Sequence, residues 1–307
     1  MFGTFRAPAV LALCCAVAGT VLAGCDDDED GNRPSAPSPA PAAAAAPGPA
    51  ELGTLSGAVK VNIEGKSVNV SCSGTLVKGR PVVVLLAGLG DGVDKMADFQ
   101  KSLSEKDRVC SYDRLGEGTS DQPDGPQSID STGKILTGVL AKVAGDGPVV
   151  LAAHSLGGLI AARYAPDHQD KVKGLVLMEA TSPTMSGDLS KTIPESATGP
   201  AADLRAQTLA ANQGDNPEKL VVPDGAVRSA GNIPVEVIQH GQQYLAQAVP
   251  DYGQALERVW SDGQHAWLAV SSRSTLSTAT NSGHYIYVDQ PDVAVQAVQR
   301  VVSQIAG

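Results

Sequence analysis

Apolar residues arrive along this chain in two rhythms. Val82 to Ala87, Val149 to Ala153 and Val172 to Met178 are short, β-branched and largely apolar, as strands buried on both faces are. Ile129 to Val143 and Val293 to Ile305 place apolar residues at helical spacing, and Leu159 to Tyr164 reads as a further helix. Val59 to Ile63 and Ser67 to Ser71 alternate around Gly65, which predicts a hairpin. Arg108 to Tyr112, Pro234 to Gln239 and Arg273 to Thr280 supply three more strands, and a helix ends near Leu103. Strands alternating with helices predict an α/β fold with a doubly wound, mostly parallel sheet. The stretch of about 180–232 is too long and polar for an ordinary strand–helix connection. It is expected to form a small helical cap, with helices over Ala201 to Asn212 and Pro217 to Leu220.

The first fifty residues follow neither rhythm. Residues 1–24 hold Arg6 and then an apolar stretch ending at Leu22-Ala23-Gly24-Cys25. This reads as a secretory signal, too short to span a membrane. Leu-Ala-Gly-Cys resembles a bacterial lipobox, which implies cleavage before Cys25 and lipid on its thiol. The chain is therefore expected on the extracytoplasmic face of a bacterial membrane, held by that lipid. Residues 25–50 are an acidic run and then a Pro/Ala-rich tether that cannot bury a core. The folded domain is expected over 51–307. Export leaves Cys72 and Cys110 as its two cysteines, and such a count points to one disulfide.

Charge removes some partners. The formal net charge is −10, and there is no lysine/arginine cluster to neutralise phosphates, which argues against nucleic acid. Gly88-Leu89-Gly90 follows a strand, but Val93 stands where a dinucleotide loop needs its third glycine. No cluster has metal-ligand spacing. No cofactor or metal is expected.

The candidate chemistry centres on Val149 to Tyr164. A strand, a tight turn holding His154-Ser155-Leu156-Gly157-Gly158, and a helix are the context of a nucleophile elbow. Ala153 takes the place of the first glycine of the usual G-x-S-x-G. Three further motifs occur in order: Leu86-Ala87-Gly88-Leu89-Gly90, Tyr112-Asp113-Arg114-Leu115-Gly116-Glu117-Gly118-Thr119-Ser120, and Gly283-His284-Tyr285 before Gln290-Pro291. With these the chain, from about Val59 to Ile305, resembles a serine-type α/β-hydrolase of the lipase and esterase kind.

The resemblance implies Ser155 as nucleophile and His284 as its base, in the chain order Ser…acid…His. It implies oxyanion donors at the backbone N–H groups of Leu89 and Leu156. The usual acid turn after the penultimate strand is Gly241-Gln242-Gln243-Tyr244 and holds no carboxylate. Glu179 closes an apolar strand, where a carboxylate is costly unless paired, so it is the first candidate for the acid; Asp251 is the second. His154 is read as structural, and His168, His240 and His265 as surface or packing residues. The pairing of the family's second strand with Arg108 to Tyr112 brings Cys72 near Cys110. A serine at the elbow excludes the carboxylate chemistry of relatives that open halides or epoxides. The expected activity is hydrolysis of a small ester-type acyl substrate. A peptidase, thioesterase or amidase on the same triad, a cofactor-free haloperoxidase-like activity, and a non-catalytic binding lipoprotein stay open.

Overall fold

The computed structural model describes residues 55–305; the signal segment, Cys25 and the tether lie outside them. β1 (Gly57–Ile63) and β2 (Lys66–Ser73) form the expected hairpin. Its turn residues Glu64 and Gly65 have φ of 51° and 82°, and positive φ at both matches the twist of a two-residue hairpin. Next come β3 (Val82–Leu86), α1 (Ala97–Ser104), β4 (Val109–Tyr112), α2 (Ile129–Ala144), β5 (Val149–His154), α3 (Leu156–Tyr164) and β6 (Val172–Met178). α4 (Met185–Thr192) and α5 (Pro200–Asn212) precede β7 (Pro234–His240). α6 (Tyr244–Ala248) and α7 (Gly253–Ala266) lead to β8 (Arg273–Ala279), and α8 (Ile286–Asp289) and α9 (Pro291–Ser303) come last.

The strands make one sheet in the order β1-β2-β4-β3-β5-β6-β7-β8. β2 runs antiparallel to both of its neighbours, and the remaining pairings are parallel. Cys72 therefore sits directly opposite Cys110, with Cα atoms 4.1 Å apart, and the two form a disulfide. Helices cover both faces, which explains why β3 is apolar at every position. Val82, Val84 and Leu86 pack in the core that holds Leu136 and Val139 of α2 and Ile160 of α3. Val83 and Leu85 pack in the core that holds Phe99 of α1 and Val298 and Val301 of α9. Each such side chain, fully buried, is worth roughly 1.5–3 kcal/mol. The winding reverses around β3, and a crevice opens there beyond the strand ends.

Two features differ from the sequence reading. Residues Pro217 to Leu220 are not helical. The Asn216 side chain donates to the carbonyls of Ala211 (2.7 Å) and Leu220 (2.8 Å) and accepts from the Leu220 N–H (3.1 Å). It competes successfully with a helical backbone, and Leu220 bridges to Gln127 instead. The helices above the crevice also include two from beyond β7: Leu189, Ile193 and Ala201 share one apolar cluster with Leu245, Val249, Leu256 and Trp260. No helix among the described residues is long and apolar enough to cross a membrane.

Candidate active site

Ser155 occupies the single residue between β5 and α3, at φ 51° and ψ −120°. A non-glycine residue resists that backbone, so its surroundings must impose it. Its N–H donates to the Met178 carbonyl (3.1 Å), and its own carbonyl accepts from Gly158, Leu159 and Thr181 (2.9, 3.2 and 3.0 Å). The turn tolerates no side chain at the two positions that follow Leu156. A Cβ on Gly157 would stand 2.5 Å from the carbonyl oxygens of Leu86 and Ala87, and one on Gly158 would stand 2.6 Å from the Ala180 Cβ.

Glu179 repeats the device one strand over. It follows β6 directly, has φ of 50°, and is fully buried. Its Oε1 accepts from the His240 backbone N–H (2.8 Å), and its Oε2 lies 2.8 Å from His240 Nδ1 and 3.4 Å from His284 Nδ1. Burial alone would push this carboxyl up; the hydrogen bonds and charges of His240 and His284 outweigh it and hold it down at about 2.

His284 lies in the loop between β8 and α8. With its Nδ1–H directed at Glu179, its Nε2 is left as the basic nitrogen. The Glu179 Oε2 contact spans 3.4 Å. The Tyr244 hydroxyl is 3.3 Å from the same Nδ1. His154 Nε2 donates to the His284 carbonyl oxygen at 2.9 Å, so this buried histidine fixes the loop. Burial and the neighbouring His284 lower its pKa well below the ordinary value. Asp251 is exposed in the turn before α7, and it is Glu179 that meets His284.

Leu89 follows β3 and Leu156 opens α3; both line the crevice with Ser155 and His284. Arg114 donates to the carbonyls of Ala87 (2.6 Å) and Gly88 (2.8 Å). In a trans peptide the N–H points opposite to the C=O. Holding Gly88 O on Arg114 thus turns the Leu89 N–H away from the guanidinium. Arg114 is itself paired with Glu218 through two contacts of 2.7 Å, both side chains buried. Burial opposes the guanidinium charge, but Glu218 outweighs it and raises the Arg114 pKa. Glu117 accepts the Gly90 N–H at 2.8 Å; burial first, then repulsion from Glu218, pushes its carboxyl up to about 7.

The motif holding Arg114 and Glu117 does not by itself assign either a role. Charged residues inside a glycine-rich loop were the available signal. His240 requires a correction: it is neither a surface nor a packing residue but spans Glu179 and Glu257, whose Oε2 lies 2.6 Å from its Nε2. His168 stacks on Tyr164 (3.7 Å between rings) and His265 is exposed.

The crevice encloses a cavity of about 100 Å³. Ser155, His284, Leu89 and Leu156 line it together with an apolar wall of Met185, Leu189, Leu204, Leu256, Val259 and Trp260. The lining leaves room for an apolar group beside Ser155.

Residues 81–286 match the α/β hydrolase fold family, and the chain belongs to that family. It is 24% identical over 220 residues to an uncharacterized protein, YqjL, of Bacillus subtilis, a match covering 71% of this chain and 82% of the relative. A shorter stretch of 85 residues, 28% of the chain, is 40% identical to an uncharacterized protein of Schizosaccharomyces pombe and spans only 16% of that protein. Among solved structures, a serine hydrolase involved in carbazole degradation superposes with a TM-score of 0.57 at 18% identity, over 80% of this chain and 98% of that one. Lipases and esterases also occur among the similar proteins, and the family supports hydrolase activity.

Proposed function

We propose that this chain is an extracytoplasmic serine hydrolase that cleaves ester-type acyl substrates through Ser155, His284 and Glu179, tethered to a bacterial membrane by lipid on Cys25. The observation that carries the catalytic reading is the pair of left-handed strand ends, Ser155 and Glu179, with His284 Nδ1 facing the second. Ser155 Oγ attacks the acyl carbonyl carbon as its proton passes to His284 Nε2. Leu89 and Leu156 N–H groups hold the oxyanion. The tetrahedral species collapses, and the leaving alkoxide takes the proton from His284 and departs as an alcohol. Water then adds to the acyl-enzyme, His284 takes its proton and returns it to Ser155, and the carboxylic acid leaves. Each step begins with the lone pair of His284 Nε2 accepting the proton of the attacking hydroxyl. The apolar wall of the cavity supports an acyl chain as the group it receives.

A fluorophosphonate label tests the nucleophile: wild type is labelled and Ser155→Ala is not, with kcat lower by roughly a thousandfold or more. Absence of labelling in folded wild-type protein would remove the enzyme reading. A panel of esters of graded acyl length, with thioester and peptide analogues, then fixes the bond cleaved. Cys25→Ser releases the protein from membranes; continued membrane association would refute the lipid tether.

A further inference from the structure

His240 ends β7, the strand after which relatives of this kind commonly place the acid. Its two ring nitrogens face two different carboxyl groups: Nδ1 is 2.8 Å from Glu179 Oε2, and Nε2 is 2.6 Å from Glu257 Oε2. A neutral imidazole has one N–H and one lone pair. Whichever nitrogen lacked its proton would aim a lone pair at a carboxylate oxygen within hydrogen-bonding distance. Protonating a glutamate instead would run against its other contacts. Glu179 Oε1 accepts the His240 backbone N–H at 2.8 Å, and Glu257 Oε1 accepts the N–H groups of Leu245 and Ala246 at 2.9 and 3.1 Å. Those donors favour ionised carboxylates.

We infer that His240 is a positioning residue of the active site: an imidazolium clamped between Glu179 and Glu257 that fixes the acid for His284 and ties it to the cap helix α7. This rests on the Ser155–His284–Glu179 reading. The groups facing His240 come from four places. Glu179 closes β6, Glu257 belongs to α7, the Tyr244 ring of α6 is 4.8 Å away edge-on, and His284 shares Glu179 Oε2 from the loop after β8. Both carboxylates favour the charge. Burial alone would lower the imidazole pKa, but the hydrogen bonds to Glu179 and Glu257 raise it to about 9. Below that pH Glu179 is pinned at both oxygens. Above it, one carboxylate meets a lone pair, the clamp opens, and His284 loses its fixed partner. Glu257 also holds the start of α6, so the cap and the acid are registered by the same side chain.

The test uses the intact protein. Side-chain nitrogen NMR, assigned with His240→Gln, should show one imidazole doubly protonated at neutral pH and titrating near 9. The pH profile of kcat/KM should show an alkaline fall at the same point. Glu257→Gln should move both the titration and the fall to lower pH, by about one unit. His240→Gln should abolish the fall and lower kcat/KM at neutral pH by about ten- to a hundredfold, the scale of a small misplacement. Should His240→Gln fail to fold, Glu257→Gln carries the test alone. A His240 that titrates near the ordinary 6.5, or an alkaline fall unmoved by Glu257→Gln, overturns the inference. A His240 that titrates near 9 in a protein that fluorophosphonate does not label instead removes the triad, and the two failures are thereby distinguished.

Discussion

Two buried ionic clusters flank the crevice, and they are built on different cations. On one side Arg114 joins Glu218 and holds the loop carrying Leu89. On the other His240 joins Glu179 and Glu257. Each draws one carboxylate from the segments between or beyond the later strands, so each links the upper layer of helices to the strand ends. The guanidinium keeps its charge at any pH a protein survives. The imidazolium does not. The Leu89 side of the crevice is therefore set once by folding, whereas the Glu179 side stays open to titration.

Substitutions at either cluster test this contrast. Glu179→Gln should have the largest effect, a loss of roughly a thousandfold or more in kcat, while Asp251→Asn, at an exposed position, leaves it unchanged; the reverse result would move the acid to Asp251. Arg114→Met comes next. It strands Glu218 in the interior, costing about 3–5 kcal/mol in urea unfolding, and frees two loop carbonyls, costing about a hundredfold in kcat. Arg114→Met with Glu218→Leu should recover most of the stability and little of the rate. Recovery of the rate as well would show that Arg114 does not orient the loop.

The smallest effects sharpen the contrast through pH. Glu117, raised from 4.5 to about 7, contributes stability in full below 4.5 and loses it as pH rises through 7. His240, raised from 6.5 to about 9, contributes in full below 6.5 and loses it as pH rises through 9. Glu179 is the opposite case: lowered to about 2, it contributes above 4.5 and loses that as pH falls through 2. Melting temperature should therefore sag twice as pH rises, first between 4.5 and 7 and then between 6.5 and 9. Glu117→Gln should erase the first sag and leave the second; if it flattens both, the clusters are not independent.

Much of this was legible in the residues. Apolar runs gave the central strands, with β6 matching Val172 to Met178 at both ends. The cost of a carboxylate closing such a run led to Glu179. The turn at Ser155 announced itself by small neighbours. His240 was not legible, because its partners stand 61 and 17 residues away and converge only through the sheet and α7. Arg114 likewise meets Glu218 across 104 residues. Pro217 to Leu220 misled because one asparagine side chain outcompetes the backbone pattern. Alternation and spacing report on faces, whereas these pairings depend on where loops return.

The left-handed backbone at Ser155 and Glu179 has an evolutionary consequence. Glycine adopts such a backbone without strain, so Ser155→Gly would relax the fold by up to about 1–3 kcal/mol at the strained residue, whereas Glu179→Gly would also strand the buried His240 without its carboxylate. Folding alone does not call for the serine at 155. A lineage that gave up the chemistry proposed for Ser155 would be free to drift toward glycine at that position.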